Sequence, residues 1–169
     1  MEAFNKGANL AILDNYEINK KDLKYLKDNN KSIILVKDSV IVLGNLAKHL
    51  RESLSYPVIA ITGSSGKTST KDIIYSVLRK KYNVHKTIGN KNNFTGLPLS
   101  ILSLKKDSEM LVLEMGMNHL GEISYLTSIA KPNVAVITNV GTAHIGLLGN
   151  RKNILKAKLE ILEGLENNG

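Results

Sequence analysis

Short apolar segments alternate with segments of helical pattern along most of this chain. The apolar segments lie at residues 9–13, 32–36, 58–62, 83–88, 109–117 and 133–141. The helical patterns lie at residues 20–29, 38–54, 67–81, 97–104, 121–131 and 150–165. Strands that are apolar along nearly their whole length are buried on both faces, as in parallel sheets covered by helices. We therefore expect an α/β fold built on an open, mostly parallel sheet with helices on both faces.

A proline marks the expected boundary between two domains. Pro57 follows the helical segment 38–54 and directly precedes the apolar run 58–62, so we place the boundary near Tyr56. This divides the chain into a small α/β part at residues 1–56 and a larger part at residues 57–169. In open parallel sheets, ligands bind at the carboxyl ends of the strands. In the larger part, the runs VIAIT, VLEM and VITN are each followed by polar residues, which predicts a site there.

Composition and charge exclude several classes of function. The chain has 169 residues and no cysteine, which excludes disulfides, thiolate metal sites and cysteine nucleophiles. It contains no apolar run of membrane-spanning length and no secretory signal pattern, so we expect a cytoplasmic protein without a membrane span. The net charge is +8, but the lysines are scattered and aromatic residues make up only 5%. This pattern favours a polyanionic small substrate such as a nucleotide over nucleic acid.

The segment ITGSSGKTST, at residues 61–70, resembles a phosphate-binding loop of variant length. A Walker A loop has the pattern G-x-x-x-x-G-K-[ST], whose first glycine would occupy the position of Ile61 in this chain. The segment nevertheless follows an apolar strand and opens a helix, which is the context that a phosphate loop requires. A tight strand–helix turn with a capping serine is the structural alternative.

The loop residues have distinct expected roles in nucleotide binding. Backbone N–H groups would turn towards a phosphate, Lys67 would reach the β- and γ-phosphates, and Thr68 or Ser69 would hold Mg²⁺. The predicted nucleotide-binding residues are Gly63, Ser64, Ser65, Gly66, Lys67, Thr68 and Ser69.

Three ionisable residues outside the loop add to this hypothesis. Glu114 ends a very apolar run, where a carboxylate is costly to bury unless it is paired or bound to a metal. His144 follows the next apolar run, and Lys158 lies beside the apolar stripe of the last helical segment. Each has a simpler interpretation. Glu114 could form an ion pair with a lysine, His144 could be a structural polar residue, and Lys158 could be an ordinary surface lysine.

Taken together, these motifs resemble those of the Mur ligase family, the ATP-dependent amide ligases of peptidoglycan precursor synthesis. The family's loop has the pattern T-G-[ST]-x-G-K-[ST], which TGSSGKT matches in its short form. Three further stretches carry the resemblance: KTIGNKNNFTGLPLSIL, LEMGMNHLGEISYLTSIAKPNVAVITNVGTAHIGLLG and ILKAKLEILEGL. Within the family they are most similar to the ligase that joins D-alanyl-D-alanine to UDP-N-acetylmuramoyl-tripeptide through an acyl phosphate. The resemblance is close over about residues 57–165.

The resemblance implies roles for the matching residues. Lys67, His144 and Lys158 are the expected catalytic residues, with Lys67 on the phosphates of ATP. Thr68 and Glu114 would bind Mg²⁺, and His144 would support a second Mg²⁺. Lys158 matches a lysine that family members carry as a carbamate, which is an anionic metal ligand. The residues that match the loop facing the muramoyl-peptide substrate are Asn90, Asn92 and Asn93, for which turn formation is the alternative role.

The resemblance also implies domain identities and leaves alternatives open. Residues 1–56 are similar to the latter part of the family's N-terminal, uridine-nucleotide-binding domain, and residues 57–169 to the first part of its central ATP-binding domain. Family members are much longer, so we expect this chain to be a fragment that is inactive by itself. The alternatives are another Mur-type ligase, a pseudomurein or folylpolyglutamate enzyme, or a non-catalytic P-loop module that binds nucleotides or nucleic acid.

Overall fold

The computed structural model describes residues 2–169, which form two compact units. The first unit extends to Val42 and the second is Leu43–Gly169, so the division falls within one helix, α3 (Ser39–Glu52). The boundary expected from the sequence, near Tyr56, lies after the end of this helix. The assignment of residues 1–56 and 57–169 to two domains of the family stays a prediction.

The first unit contains a two-stranded parallel sheet. Its elements are α1 (Glu2–Asn5), β1 (Leu10–Leu13), α2 (Lys20–Asp28) and β2 (Ser32–Leu35), followed by the first residues of α3. Strands β1 and β2 pair in parallel over their whole length. A capping box starts α2, because the Asn19 side chain accepts from the N–H of Asp22 while the Asp22 carboxylate accepts from the N–H of Asn19. This cap fixes the start of the helical connection that two parallel strands require.

The second unit is built on a four-stranded sheet in which all strands are parallel. Its strands are β3 (Val58–Thr62), β4 (Val84–Lys86), β5 (Met110–Glu114) and β6 (Val134–Ile137). Their order across the sheet is β4-β5-β3-β6, so β3 lies between β5 and β6. The carboxyl ends of these three strands meet at one edge, and the loops that follow them lie side by side. The prediction of an open parallel sheet is confirmed.

Helices cover both faces of this sheet. On one face, Ala60 and Leu113 pack in a core with residues from the three helices α5 (Gly96–Leu102), α6 (Glu122–Ala130) and α8 (Arg151–Leu159). Ile59 points to the opposite face because side chains alternate along a strand. There α4 (Lys67–Leu78) packs against β3, β4 and β5. This arrangement explains why the strands read as nearly continuous apolar runs in the sequence.

The strands are shorter than the apolar runs that predict them. The run 83–88 forms a strand of only three residues, β4. The runs 109–117 and 133–141 end as strands at Glu114 and Ile137, and their remaining residues belong to the loops of the candidate site. The hydrophobic pattern therefore continues past the last pairing residue into loops that are themselves partly buried.

The last helical segment also differs from the expectation. Residues 150–165 do not form one helix, because α8 ends at Leu159 and continues as a 3₁₀ turn, Glu160–Gly164. In this turn Gly164 approaches Thr127 so closely that a side chain at position 164 would collide with the Thr127 carbonyl. A further short helix, α7 (Ile145–Leu148), lies outside every predicted helical segment. No helix within residues 2–169 is long and apolar enough to cross a membrane.

Charged side chains from distant parts of the chain cap both ends of α6. At its N-terminus, the buried carboxylate of Glu160 accepts hydrogen bonds from the N–H groups of Gly121 (2.8 Å) and Ser124 (3.1 Å). At its C-terminus, the buried guanidinium of Arg51 donates to the carbonyls of Ala130 (2.8 Å) and Lys131 (2.9 Å). Each charge has the sign that the helix dipole favours at that end. These bonds tie α6, which follows β5, to α3 and to the 3₁₀ turn.

Candidate functional site

The segment between β3 and α4 leaves backbone N–H groups without protein partners. Gly66 adopts a left-handed conformation (φ 77°) directly before α4, and no side chain caps this helix end. Within residues 2–169, no hydrogen bond is found for the N–H groups of Gly66, Lys67, Thr68 and Ser69. Free N–H groups and the helix dipole together make such a helix N-terminus a binding site for an anion such as phosphate.

The two serines of the loop are bonded to the segment that follows β6. The N–H of Ser64 donates to the carbonyl of Asn139 (3.1 Å), and the N–H of Ser65 donates to the Asn139 side-chain oxygen (3.1 Å). The Thr138 hydroxyl donates to the carbonyl of Ser65 (2.6 Å), and Ser64 Oγ accepts from the N–H of Gly141 (2.9 Å). These bonds hold the loop against the end of β6. Because the N–H groups of both serines are already bonded, the N–H groups that are free to bind an anion are those of residues 66–69. The predicted role of the two serines in nucleotide binding stays a prediction.

The Lys67 side chain folds back over the loop. Its ammonium donates a hydrogen bond to the carbonyl oxygen of Gly63 at 2.8 Å. Gly63 has a φ of 152°, and a side chain there would collide with Thr138, so only glycine fits where the loop passes the end of β6. The lysine charge is therefore held inside the loop, as a lysine that contacts β- and γ-phosphates requires.

The carboxylate of Glu114, at the end of β5, is buried next to the loop with only 2% of the residue exposed. Its Oε2 accepts a hydrogen bond from the Thr68 hydroxyl (2.9 Å) and lies 3.6 Å from the ammonium of Lys71. Its Oε1 accepts a hydrogen bond from the amide of Asn92 (2.9 Å). The structure thus brings together Thr68 and Glu114, the two residues predicted as the first magnesium ligands.

The three asparagines of the polar loop occupy different environments. Asn92 binds Glu114 through its side chain and accepts a hydrogen bond from the N–H of Gly116 (2.8 Å) on its carbonyl. Asn93 accepts a hydrogen bond on its side-chain oxygen from the N–H of Gly96 (2.9 Å), the first residue of α5. Asn90 is exposed, and within residues 2–169 its side chain has no hydrogen bond. Asn92 and Asn93 therefore have structural roles, and the contact of all three with a substrate stays a prediction.

Lys158 and His144 lie within electrostatic reach of Lys67. Lys158 is 1% exposed, and its ammonium forms no hydrogen bond or salt bridge in the part of the chain that the structure describes. Burial, together with the charge of Lys67, lowers the pKa of Lys158 to about 8. Desolvation and then the charges of Lys158 and Lys67 lower the pKa of the His144 imidazole. The three predicted catalytic residues are thus electrostatically coupled, although they come from separate elements.

Three residues of the site were not predicted from the sequence. Lys71 is buried against Glu114, and Thr138 and Asn139 hold the phosphate loop. A signal for Lys71 was available, because it lies three and four residues after Thr68 and Lys67 and so shares their face of α4. Thr138 and Asn139 directly follow β6, and the carboxyl end of a parallel strand is where site residues concentrate.

The donors at this site suit Mg²⁺ that is bound together with a phosphate. Across residues 2–169, no group of three or more His, Asp or Glu side chains is arranged to hold a metal ion. Mg²⁺ usually takes only one or two carboxylates from a protein and completes its shell with water and substrate phosphates. The Thr68 hydroxyl and the Glu114 carboxylate are such hard oxygen donors, and they are already in contact. The ammonium of Lys71 lies 3.6 Å from the same carboxylate, so Glu114 already has one cationic neighbour.

Comparisons with known proteins place the chain in a family. The Mur ligase middle domain matches residues 61–169. A UDP-N-acetylmuramoyl-tripeptide--D-alanyl-D-alanine ligase of Bacillus subtilis is 50% identical over 140 residues, which are 83% of this chain and 31% of that protein. The structure of MurF from Acinetobacter baumannii matches with a TM-score of 0.88 and 37% identity. The match covers 99% of this chain and 35% of the A. baumannii chain. The MurF ligase of Thermotoga maritima in complex with ADP matches with a TM-score of 0.84 and 42% identity, covering 98% of this chain and 36% of its own.

The chain spans about a third of the length of these relatives, with 31% of the first and 36% of the last covered. The match to the Mur ligase middle domain nevertheless includes the phosphate loop, strands β5 and β6, and the helix that carries Lys158. The Mur ligase middle domain matches more than half of the chain, and MurF ligases are found among both the similar sequences and the similar structures. This chain therefore belongs to the Mur ligase family.

Proposed function

We propose that the protein containing this chain is an ATP-dependent ligase that joins D-alanyl-D-alanine to UDP-N-acetylmuramoyl-tripeptide. One observation carries the proposal, namely the buried Glu114 bonded to Thr68 at 2.9 Å beside a phosphate-type loop. A module that only bound a nucleotide would not need this buried carboxylate or the buried Lys158. The B. subtilis relative is named for this reaction, which supports the choice of substrates. The ADP complex of the T. maritima relative supports ATP as the phosphoryl donor.

The proposed reaction has two chemical steps. A carboxylate of the tripeptide attacks the γ-phosphorus of ATP, which forms an acyl phosphate and releases ADP. The amine of D-alanyl-D-alanine then attacks the acyl carbon, phosphate leaves, and the nitrogen loses a proton to give the amide. Negative charge on the transferring phosphoryl oxygens is opposed by the ammonium of Lys67 and by the free N–H groups at residues 66–69.

Thr68 and Glu114 would hold one Mg²⁺, and His144 with Lys158 would support a second. Bound Mg²⁺ supplies positive charge that stabilises and orients the phosphate oxygens. Coordination requires a neutral imidazole, and the lowered pKa of His144 keeps the ring neutral at neutral pH. A charged ammonium on Lys158 is no metal ligand, so this role requires a chemical change of the side chain.

A carbamate on Lys158 would convert this cation into an anionic oxygen ligand. A neutral amine adds CO₂ to give a carbamate and a proton. With a pKa of about 8, roughly a fifth of the Lys158 amine is neutral at a pH of about 7.4, against about one part in a thousand for an ordinary lysine. Burial without a protein partner therefore favours the modification, and Mg²⁺ prefers the hard oxygen ligand that it creates.

We assign residues 1–56 to part of an N-terminal domain that binds the uridine nucleotide, and residues 57–169 to the first part of the central ATP-binding domain. The match of the Mur ligase middle domain from residue 61 supports the second assignment. In the loop that would face the muramoyl peptide, Asn90 is the strongest candidate for direct contact because its side chain is exposed and unbonded within residues 2–169. ATP and uridine nucleotides are cytoplasmic compounds, which supports a cytoplasmic location.

The test is product formation by the full-length protein, followed by mass spectrometry. With ATP, Mg²⁺ and the muramoyl tripeptide, we expect a product with D-alanyl-D-alanine and not with single amino acids. Lys67→Ala and Glu114→Gln should lower kcat/KM at least about 100-fold, because each removes charge stabilisation of the transition state. Lys80→Ala, at an exposed position just after α4, is the matched control and should leave the rate unchanged.

Two outcomes would contradict the proposal. A product formed only with another amino acid would make the protein a different ligase of the family. Absence of any product, combined with salt-dependent binding of DNA or RNA, would favour a nucleic-acid-binding module.

A further inference from the structure

A lysine is buried against the carboxylate of Glu114. Lys71, in α4, is 2% exposed, and its ammonium lies 3.6 Å from Oε2 of Glu114 and 3.8 Å from Oδ1 of Asp72. Asp72 is about half exposed and already accepts a hydrogen bond from Lys86 at 2.7 Å. Lysine is almost never buried to this extent without a paired charge. The equally buried Glu114 is therefore the main partner of Lys71.

The same carboxylate oxygen serves Lys71 and Thr68. Oε2 of Glu114 accepts the hydrogen bond from the Thr68 hydroxyl, and the ammonium of Lys71 lies beside this oxygen. Asn92 occupies the other oxygen, Oε1. A divalent cation bound by Thr68 and Glu114 would share this carboxylate with the positive charge of Lys71.

We propose that Lys71 is a positioning residue that holds Glu114 in place and opposes Mg²⁺ binding until the nucleotide phosphates arrive. The inference rests on the proposed role of Thr68 and Glu114 as magnesium ligands. Lys71 balances the charge of Glu114 and keeps the carboxylate directed at Thr68 when no metal is bound. Mg²⁺ and the nucleotide consequently bind together, and the protein alone has little affinity for the metal.

The direction of the effect follows from the charges. A buried carboxylate with no cation beside it attracts a divalent ion strongly, because charge interactions are strengthened where water is excluded. The adjacent ammonium offsets the charge of Glu114 and repels the ion. Phosphate oxygens of a bound nucleotide add several negative charges, which restores the attraction and supplies further oxygen ligands.

The test measures Mn²⁺ binding to the full-length protein by electron paramagnetic resonance, first without nucleotide and then with ADP. Lys71→Met has a side chain of similar length without the charge. We expect this variant to bind Mn²⁺ at least about tenfold tighter than wild type in the absence of nucleotide. Adding ADP should then increase its Mn²⁺ affinity by a smaller factor than it increases that of wild type. Lys80→Met, which removes an exposed lysine from the same region, should match wild type. Equal Mn²⁺ affinity of Lys71→Met and wild type without ADP would overturn the inference.

Two further variants separate the possible causes of failure. If Glu114→Gln still binds Mn²⁺ with ADP as wild type does, the proposed metal site is wrong, whatever Lys71 does. If Lys71→Met does not fold, the double variant Lys71→Met/Glu114→Gln decides the matter. Its folding would support the pairing of charges, whereas its failure to fold would show that Lys71 is required for packing and would overturn the inference.

Discussion

Replacing Lys158 by methionine should stabilise the protein at neutral pH while abolishing the proposed ligase activity of the full-length protein. The pKa of Lys158 is lowered from 10.5 to about 8 by burial and by Lys67, so the fold disfavours the charged amine. At about 1.4 kcal/mol for each pKa unit, the charged side chain costs about 3 kcal/mol of folding free energy at pH 7. Methionine has a similar length and no charge. Exchanging one flexible side chain for another of similar volume changes the packing contribution to the free energy of unfolding by less than about 1.5 kcal/mol. We expect a net gain in the free energy of unfolding of about 2 kcal/mol.

The gain should disappear at high pH. The folded pKa of Lys158 lies below the unfolded value, so the destabilisation is complete below about pH 8. It is relieved as the pH rises from about 8 towards 10.5, because the unfolded chain then binds more protons than the folded chain. Methionine does not titrate, so the difference between Lys158→Met and wild type should shrink across this window.

The assay is urea denaturation at pH 7 and at about pH 10, in buffers free of CO₂ and divalent metals so that Lys158 stays unmodified. Lys156→Met replaces an exposed lysine of the same helix and should change the free energy of unfolding by less than about 0.5 kcal/mol at either pH. A Lys158→Met protein less stable than wild type at pH 7 would refute the reasoning, as would an equal gain at both pH values. Full ligase activity in Lys158→Met would show that this residue has no role in metal binding.

Three other measurements test parts of the site and its support. In an NMR titration, the pKa of the His144 ring should lie below 6.5 and should rise in Lys158→Met, which lacks one of the charges that lower it. A pKa above 6.5 in wild type would contradict the electrostatic coupling. Arg51→Met should lower the free energy of unfolding by about 2–4 kcal/mol, because two carbonyls at the end of α6 lose a charged donor, whereas Arg79→Met at an exposed position should not. Asn139→Ala should weaken ADP binding about tenfold in calorimetry, since Ser65 loses its bonds to the Asn139 side chain; unchanged affinity would show that the remaining bonds hold the loop in shape.

The strands and the phosphate loop were predictable because their signals are local. In a run such as VIAIT the first four positions are apolar, which suits an environment buried on both faces, and β3 forms there. The loop, the lysine and the start of α4 are contiguous in the sequence, so one stretch of ten residues contains the whole phosphate-loop pattern. Glu114 was predictable for a related reason, because a carboxylate at the end of an apolar run conflicts with burial unless it has a partner.

The partners of these residues were not predictable, because they depend on which strands become neighbours. The order β4-β5-β3-β6 places the ends of β5 and β6 on either side of the loop, although about 50 and 75 residues separate them from it in the chain. Asn139 therefore holds Ser65, and Asn92 reaches Glu114, across distances that no periodicity encodes. The sequence alone likewise does not distinguish a buried lysine from a solvated one, since Lys71 lies in a polar stretch of α4.

The amino-acid sequence by itself determined the positions of the strands, the phosphate loop and the family, because each is recognised from short stretches of adjacent residues. Tertiary structure alone decided the burial of Lys71 and Lys158 and the end of α8 at Leu159. A lysine takes its charge into the interior only when the surrounding packing excludes water, and that packing comes from separate elements. The same packing lowers the pKa of Lys158 and pairs Lys71 with Glu114, so the chemistry of these lysines depends on the folded chain and not on their sequence neighbours.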